Sequence, residues 1–204
     1  MKTAWNLPVH ATPPEPDWEA HRQIDLEAGY EAITLCRDNA NLVPLPADKQ
    51  RILIAGPTPE WSFYPELLAA LEARGFDPSL YTYELDEADR TSEQQNFVKT
   101  LPDMAVNYDL ATVFTWHGYI KSIKSDDTYQ VRLVKKLINQ GVPVLVVALR
   151  APNDILGFPN VQSYIATYGH TEGGLRGLID ILLGNKPPVG RNPLPDLPCQ
   201  ETNP

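Results

Sequence analysis

Short apolar runs alternate with segments of helical hydrophobic periodicity along most of this chain. The run 144–149 is apolar at every position rather than at alternate ones. Such a run is typical of a central strand in a parallel sheet that is covered by helices on both faces. Shorter runs with strand character occupy residues 32–38, 51–56, 79–85, 109–116 and 161–168.

Helical patterns separate these runs. Helices are predicted over about 18–32, from Ser62 to the Arg74-Gly75 stop, over 92–104, over 126–140 and over 171–183. Strands and helices that alternate at this spacing predict an α/β fold. We therefore expect a three-layer α/β/α sandwich around a mainly parallel sheet of about five or six strands. The glycines of the last helix predict close packing of that helix onto the sheet.

Prolines mark the two ends of this pattern. Of the 20 prolines, many fall near the start and near the end of the chain, where extended backbone is favoured. The sequence therefore predicts a proline-rich leader over 1–17, a single sandwich domain over 18–186 and a proline-rich tail over 187–204.

Charge and composition exclude several classes of partner. The chain has 17 basic and 26 acidic residues, a net charge of −9, which repels nucleic acid and anionic membrane surfaces. It contains no apolar run long enough to span a membrane and no secretory leader, so a soluble, cytoplasmic protein is expected. Cys36 and Cys199 are far apart, and neither a disulfide framework nor a metal site is predicted from them.

Candidate chemistry lies in three loops. Ligands of such sheets bind beyond the carboxyl ends of the strands, which directs attention to residues 56–62, 115–120 and 149–154. These loops hold the candidate contact residues Trp61, Trp116, His117, Tyr119, Arg150 and Asp154. Their aromatic side chains favour an interaction surface rather than a closed pocket.

Individual residues in these loops carry limited signals. His117 has the chemistry of an acid, a base or a hydrogen-bond donor, whereas His10, His21 and His170 have weaker claims. Asp154 suits the N-cap of a short helix, so we interpret Arg150–Asp154 chiefly as the exit from a strand. Gly56-Pro57 fits no phosphate-binding glycine motif, and no cofactor is expected.

Several blocks, taken in order, resemble a known family. The blocks "RILIAGP", "DLATVFTW", "VPVLVVALRAPNDI", "ATYG" and "LLGNKPPVGRNPLP" look like the C-terminal domain of family-3 glycoside hydrolases, with the character of bacterial β-N-acetylhexosaminidases and β-glucosidases. The resemblance extends over about Ile24 to Pro198.

The resemblance implies that the catalytic residues belong to a second domain. In that family a separate (β/α) barrel carries the nucleophilic aspartate, and 204 residues leave no room for such a barrel beside the sandwich. Glu84, Glu87 and Glu172 match no acid/base motif of the family, so no catalytic residue is assigned. The implied partner is a catalytic barrel and the implied ligand is carbohydrate; a stand-alone carbohydrate-binding or protein-interaction module and a flavodoxin-like small-molecule binder remain alternatives.

Overall fold

The protein is built around one six-stranded sheet with the strand order β1-β6-β5-β4-β2-β3. The structure is a computed structural model, and it describes residues 15–58, 63–84, 92–118, 128–194 and 196–199. The strands are β1 (Thr34–Asp38), β2 (Arg51–Pro57), β3 (Asp77–Tyr83), β4 (Leu110–Thr115), β5 (Val144–Ala148) and β6 (Ser163–Ala166). Only the β1–β6 pair is antiparallel among these strands, so the predicted mainly parallel sheet is confirmed.

Four helices cover the two faces of this sheet: α2 (Phe63–Ala73), α3 (Ser92–Ala105), α4 (Tyr129–Asn139) and α5 (Glu172–Leu182). A further helix, α1 (Trp18–Ala32), precedes β1. Alternate residues of a strand point to opposite faces. In β2, Leu53 and Ala55 accordingly join the core under α3 and α4, whereas Ile52 and Ile54 join the core under α2 and α5. The central strand β5 is buried along its whole length, as its continuous apolar run predicts.

Helix α1 lies outside this three-layer arrangement. None of its residues is buried, and it packs on α5 rather than on the sheet. A Cβ at Gly173 would stand 2.0 Å from the Asp25 carbonyl oxygen, and one at Gly177 would stand 2.8 Å from the Tyr30 Cα. The predicted reason for these glycines was therefore wrong, because they admit the backbone of α1.

The β5–β6 connection contains no α-helix. A parallel connection normally crosses over through an α-helix, but here it contains a short 3₁₀ helix, η1 (Pro152–Gly157).

The C-terminal segment, residues 187–194 and 196–199, returns to the sheet. Its Leu197 and Cys199 pack against the core on the face where α3 and α4 lie. The C-terminal segment therefore supplies apolar cover on this face of the sheet.

The C-terminal segment is fastened to the domain at several points. Tyr30 donates its hydroxyl hydrogen to the Pro187 carbonyl at 2.8 Å, and the Gly190 N–H donates to the Ile33 carbonyl at 3.0 Å. Cys199 forms a disulfide with Cys36 in β1. The prediction against a disulfide was wrong: the two cysteines are 163 positions apart, and only the return of the tail to β1 brings them together.

None of the helices in the described ranges is long and apolar enough to cross a membrane.

Candidate functional site

Three neighbouring strands place a cluster of aromatic and basic side chains at the carboxyl edge of the sheet. Trp116 follows β4, Arg150 follows β5, and His170 follows β6. The Arg150 guanidinium carbon lies 5.4 Å from the centre of the Trp116 ring, and the His170 ring centre lies 4.6 Å from it. His117 is next to Trp116, with 6.4 Å between the two ring centres. We call Trp116, His117, Arg150 and His170 the edge cluster.

A buried glutamine fixes the backbone of the edge cluster. The Trp116 N–H donates to the Gln130 Oε1 at 2.8 Å, and the Gln130 Nε2 donates to the Trp116 carbonyl at 3.0 Å. The Tyr83 hydroxyl lies 3.1 Å from the same Gln130 oxygen and 2.8 Å from the Phe114 carbonyl. Because Gln130 is only 4% exposed, these bonds form in a region shielded from water and hold the loop after β4 in place.

His117 adopts a backbone conformation that is uncommon for residues other than glycine. Its φ angle is +48°, in the left-handed region. The residue is exposed, and the following Gly118 is buried, where its carbonyl accepts a hydrogen bond from the Thr128 hydroxyl. Uncommon backbone conformations of this kind occur frequently at functional sites, where the surrounding structure maintains them.

Asp154 has a different role from the predicted one. The N-cap of η1 is Ala151, whose side chain makes no capping bond, so the prediction that Asp154 caps this helix was wrong. Asp154 lies inside the first turn, is 0% exposed, and accepts a hydrogen bond from the Thr115 hydroxyl at 2.6 Å. The carboxylate therefore joins η1 to the end of β4 beneath the edge cluster.

Thr167 joins the ends of β5 and β6. Its hydroxyl oxygen lies 3.0 Å from the Leu149 carbonyl and 2.7 Å from the Gly169 carbonyl, and the Thr167 N–H donates to the Ala148 carbonyl at 3.0 Å. These contacts set the positions of the residues that follow each strand. Arg150 and His170 are consequently carried by backbone that is fixed at both strand ends.

The electrostatics of the edge cluster are those of a hydrogen-bond donor site. Partial burial of the imidazole, and then the positive charge of Arg150, lower the pKa of His170 below its ordinary value of 6.5. Among the described residues, no group of three or more His, Cys, Asp or Glu side chains is placed to hold a metal ion. The arrangement can donate hydrogen bonds to a ligand, and a neutral imidazole can also exchange a proton with it.

The structure thus brings together Trp116, His117 and Arg150 of the predicted contact residues, with Asp154 buried beneath them. Trp61 and Tyr119 lie outside the described residues. Sequence reasoning ranked His170 too low, although its place in the loop after a predicted strand, four positions past the end of β6, could have found it. Gln130 was also missed; the signal was a polar residue at helical spacing from Val134 and Leu137 on the apolar face of α4.

Comparison with known protein families identifies the domain. The family described as "Glycosyl hydrolase family 3 C-terminal domain" matches residues 33–197. The chain belongs to this family. Its match includes every strand from β1 to β6 and the residues of the edge cluster, which lie in loops of this C-terminal domain. No curated protein matches the chain.

Solved structures show the same fold as this family-3 C-terminal domain. A family-3 β-N-acetylglucosaminidase from Paenibacillus sp. str. FPU-7 matches with a TM-score of 0.64 at 21% identity, over 91% of this chain and 34% of that one. The β-glucoside phosphorylase BglX gives a TM-score of 0.59 at 23% identity, over 85% of this chain and 31% of that one. A Listeria innocua β-glucosidase gives a TM-score of 0.61 at 19% identity, over 83% and 26%.

The chain therefore spans about a third or less of the length of these family-3 proteins. The resemblance to the C-terminal domain of family-3 glycoside hydrolases, and the α/β sandwich that it implied, are both confirmed.

Proposed function

We propose that this family-3 C-terminal domain packs the carboxyl edge of its sheet against a catalytic barrel and contributes the edge cluster to the wall of the substrate cleft. The observation that carries the proposal is the family match over residues 33–197, combined with a span of about a third or less of the matched family-3 proteins. The remaining length of those proteins leaves room for a barrel, and the family resemblance implies that the nucleophilic aspartate belongs to such a barrel.

The placement of exposed side chains supports the carboxyl edge as the contact surface. His117, Arg150 and His170 are exposed there, and Trp116 is half-buried beside them. Aromatic and arginine side chains are enriched at protein interfaces relative to the rest of the surface. The opposite edge differs, because there Arg51 is already engaged by Asp109 in a salt bridge of 3.1 Å.

The chain alone is proposed to lack glycosidase activity. Retaining hydrolysis requires a nucleophilic carboxylate and an acid/base group on either side of the scissile bond. The carboxylate beneath the edge cluster, Asp154, is fully buried and bound by Thr115, so it is not placed to attack a sugar. Glucosides and N-acetylglucosaminides are the ligands that the names of the matched proteins suggest for the complete cleft.

Complex formation between the purified chain and a catalytic barrel tests the proposal. The purified chain is mixed with a family-3 barrel that is encoded in the same genome, and complex formation is followed by size-exclusion chromatography. We expect a complex to form and Arg150→Glu to weaken it. Lys99→Glu makes the same charge change at an exposed residue of α3 and should leave the complex intact. A complex that both variants weaken equally, or turnover of aryl glycosides by the chain alone, would contradict the proposal.

The disulfide bears on the cytoplasmic location that the sequence predicts. Disulfides are rare in reducing compartments and persist in oxidising ones. The Cys36–Cys199 bond therefore favours an oxidising compartment over the cytoplasm. Free thiols on both cysteines in protein isolated under conditions that block thiol exchange would restore the cytoplasmic interpretation.

A further inference from the structure

We propose that the edge cluster is a binding site for an oxyanion, a phosphate or a carboxylate, held chiefly by the Arg150 guanidinium with help from His117. The ligand class is defined by this shared chemistry. Inorganic phosphate and the carboxylate of an acidic sugar are the two sources that the experiment below distinguishes.

The first argument is the state of Arg150. Its side chain is exposed, and within the part of the chain that the structure describes it forms no salt bridge. The guanidinium carbon lies 5.4 Å from the centre of the Trp116 ring. A guanidinium stacked on an aromatic ring is restrained in orientation and keeps the N–H groups at its edge available for a bidentate oxyanion.

The second argument is the set of groups around it. His117 and His170 lie within 6.4 Å and 4.6 Å of the same Trp116 ring, measured between ring centres. Imidazole and guanidinium groups both donate N–H hydrogen bonds, and guanidinium cannot accept one. The edge cluster therefore gathers donors and positive charge on a chain whose net charge is −9.

The third argument is that the cluster is pre-organised. Gln130 holds both backbone polar groups of Trp116, and Thr167 joins the strand ends that precede Arg150 and His170. His117 keeps a left-handed backbone at φ +48°. Rigid placement of donors reduces the entropy lost when a ligand binds, which favours a site over a mobile surface arginine.

The Asp154 carboxylate, which lies beneath the edge cluster, does not fill this site. Asp154 is 0% exposed and its carboxylate accepts a hydrogen bond from Thr115. Among the described residues, Arg150 is in no salt bridge, so its guanidinium can bind an external anion.

This inference deepens the proposed function, because the same edge would hold the charged part of a ligand in the cleft. It does not require a barrel for its test, since all the groups named belong to this chain. Loss of anion binding with retained barrel binding would refute only the inference, whereas anion binding without barrel binding would refute only the proposed packing.

The experiment is an NMR titration of the full chain at constant pH and ionic strength. The ligands are sodium phosphate, sodium glucuronate and, as a neutral control, glucose. We expect saturable shifts of the Arg150 Nε–H and the His117 ring signals with phosphate, with glucuronate or with both, at concentrations up to about 10 mM. Phosphate alone or glucuronate alone identifies the source, and either result supports the site.

Matched variants decide whether the binding is local. Arg150→Gln should weaken the binding by about tenfold or more, and Arg150→Lys should weaken it too, because an ammonium keeps the charge but loses the planar fork. Arg191→Gln removes the same charge from the exposed C-terminal segment and should have no effect. Linear shifts without saturation, equal binding of glucose, or equal affinity in Arg150→Gln and the parent would overturn the proposal.

Discussion

The guanidinium carbon of Arg150 lies 5.4 Å from the centre of the Trp116 ring, although the two residues follow different strands of the sheet. A cation–π contact at an exposed position contributes about 0.5–1 kcal/mol. It links the ends of the neighbouring strands β4 and β5 and orients the guanidinium group of the edge cluster.

The pKa of His170 should depend on Arg150. Burial lowers this pKa first and the positive charge of Arg150 lowers it further. Arg150→Gln should therefore raise the His170 pKa towards 6.5 without reaching it, because burial remains. An NMR titration of the His170 ring measures this, with Arg191→Gln as control. An unchanged or lower pKa in Arg150→Gln would contradict the stated cause.

The same shift has a consequence for stability. A histidine whose pKa is lowered by folding binds fewer protons in the folded state than in the unfolded state as the pH falls through 6.5. His170 should therefore lower the stability of the fold in that acidic range and have no such effect at higher pH. Denaturant unfolding of His170→Gln should show a smaller loss of stability on acidification than the parent; an equal loss would argue against it.

Asp154 and Thr115 should be energetically coupled. Removing the Asp154 carboxylate leaves the buried Thr115 hydroxyl without its acceptor, and Thr115→Val leaves the buried carboxylate without this donor. Each single substitution should lower the free energy of unfolding by about 1–3 kcal/mol. In a double-mutant cycle of Asp154→Ala and Thr115→Val, the effects should be non-additive by about 0.5–3 kcal/mol. Additive effects would show that the bond contributes nothing of its own.

Neighbouring glycines of α5 should respond in opposite ways to alanine. A Cβ at Gly173 would stand 2.0 Å from the Asp25 carbonyl oxygen, whereas a Cβ at Gly174 meets the Thr171 hydroxyl at an ordinary 3.6 Å. Gly173→Ala should destabilise the protein by about 1–3 kcal/mol by forcing α1 away. Gly174→Ala should be neutral or stabilise it by up to about 1 kcal/mol, because alanine favours helix. Thermal unfolding compares the two, and equal effects would contradict the α1–α5 packing.

The disulfide should hold the C-terminal segment. Cys199→Ser should lower the free energy of unfolding by about 2–4 kcal/mol under non-reducing conditions. It should also speed trypsin cleavage at the exposed Arg191, because the segment loses its attachment to β1. Reducing agent should make the parent behave like Cys199→Ser. If the two proteins already behave alike without reductant, the bond is not present in solution.

Much of the fold could be predicted because local patterns determine it. The run from Val144 to Ala148 is apolar throughout and became the buried strand β5, and the predicted helix at 18–32 became α1. Hydrophobic periodicity reports on which face of an element is buried, and it needs no knowledge of distant partners.

The parts that could not be predicted depend on contacts between distant segments. The Cys36–Cys199 bond requires the tail to return to β1, and the glycines of α5 accept a helix from the other end of the chain. Aspartate is a common helix N-cap residue, but the carboxylate of Asp154 instead accepts a hydrogen bond from the Thr115 hydroxyl, 39 positions away. A sequence pattern carries no direct record of such pairings.

Hydrogen–deuterium exchange of the chain, alone and mixed with a family-3 barrel encoded in the same genome, tests the central claim most directly. If the carboxyl edge of the sheet packs against the barrel, amides of residues 115–118, 149–154 and 167–170 should exchange more slowly in the mixture. Residues near Arg51 and Asp109, at the opposite edge, should be unchanged. Protection of the opposite edge with no change at the edge cluster, or no protection at saturating barrel, would contradict the account.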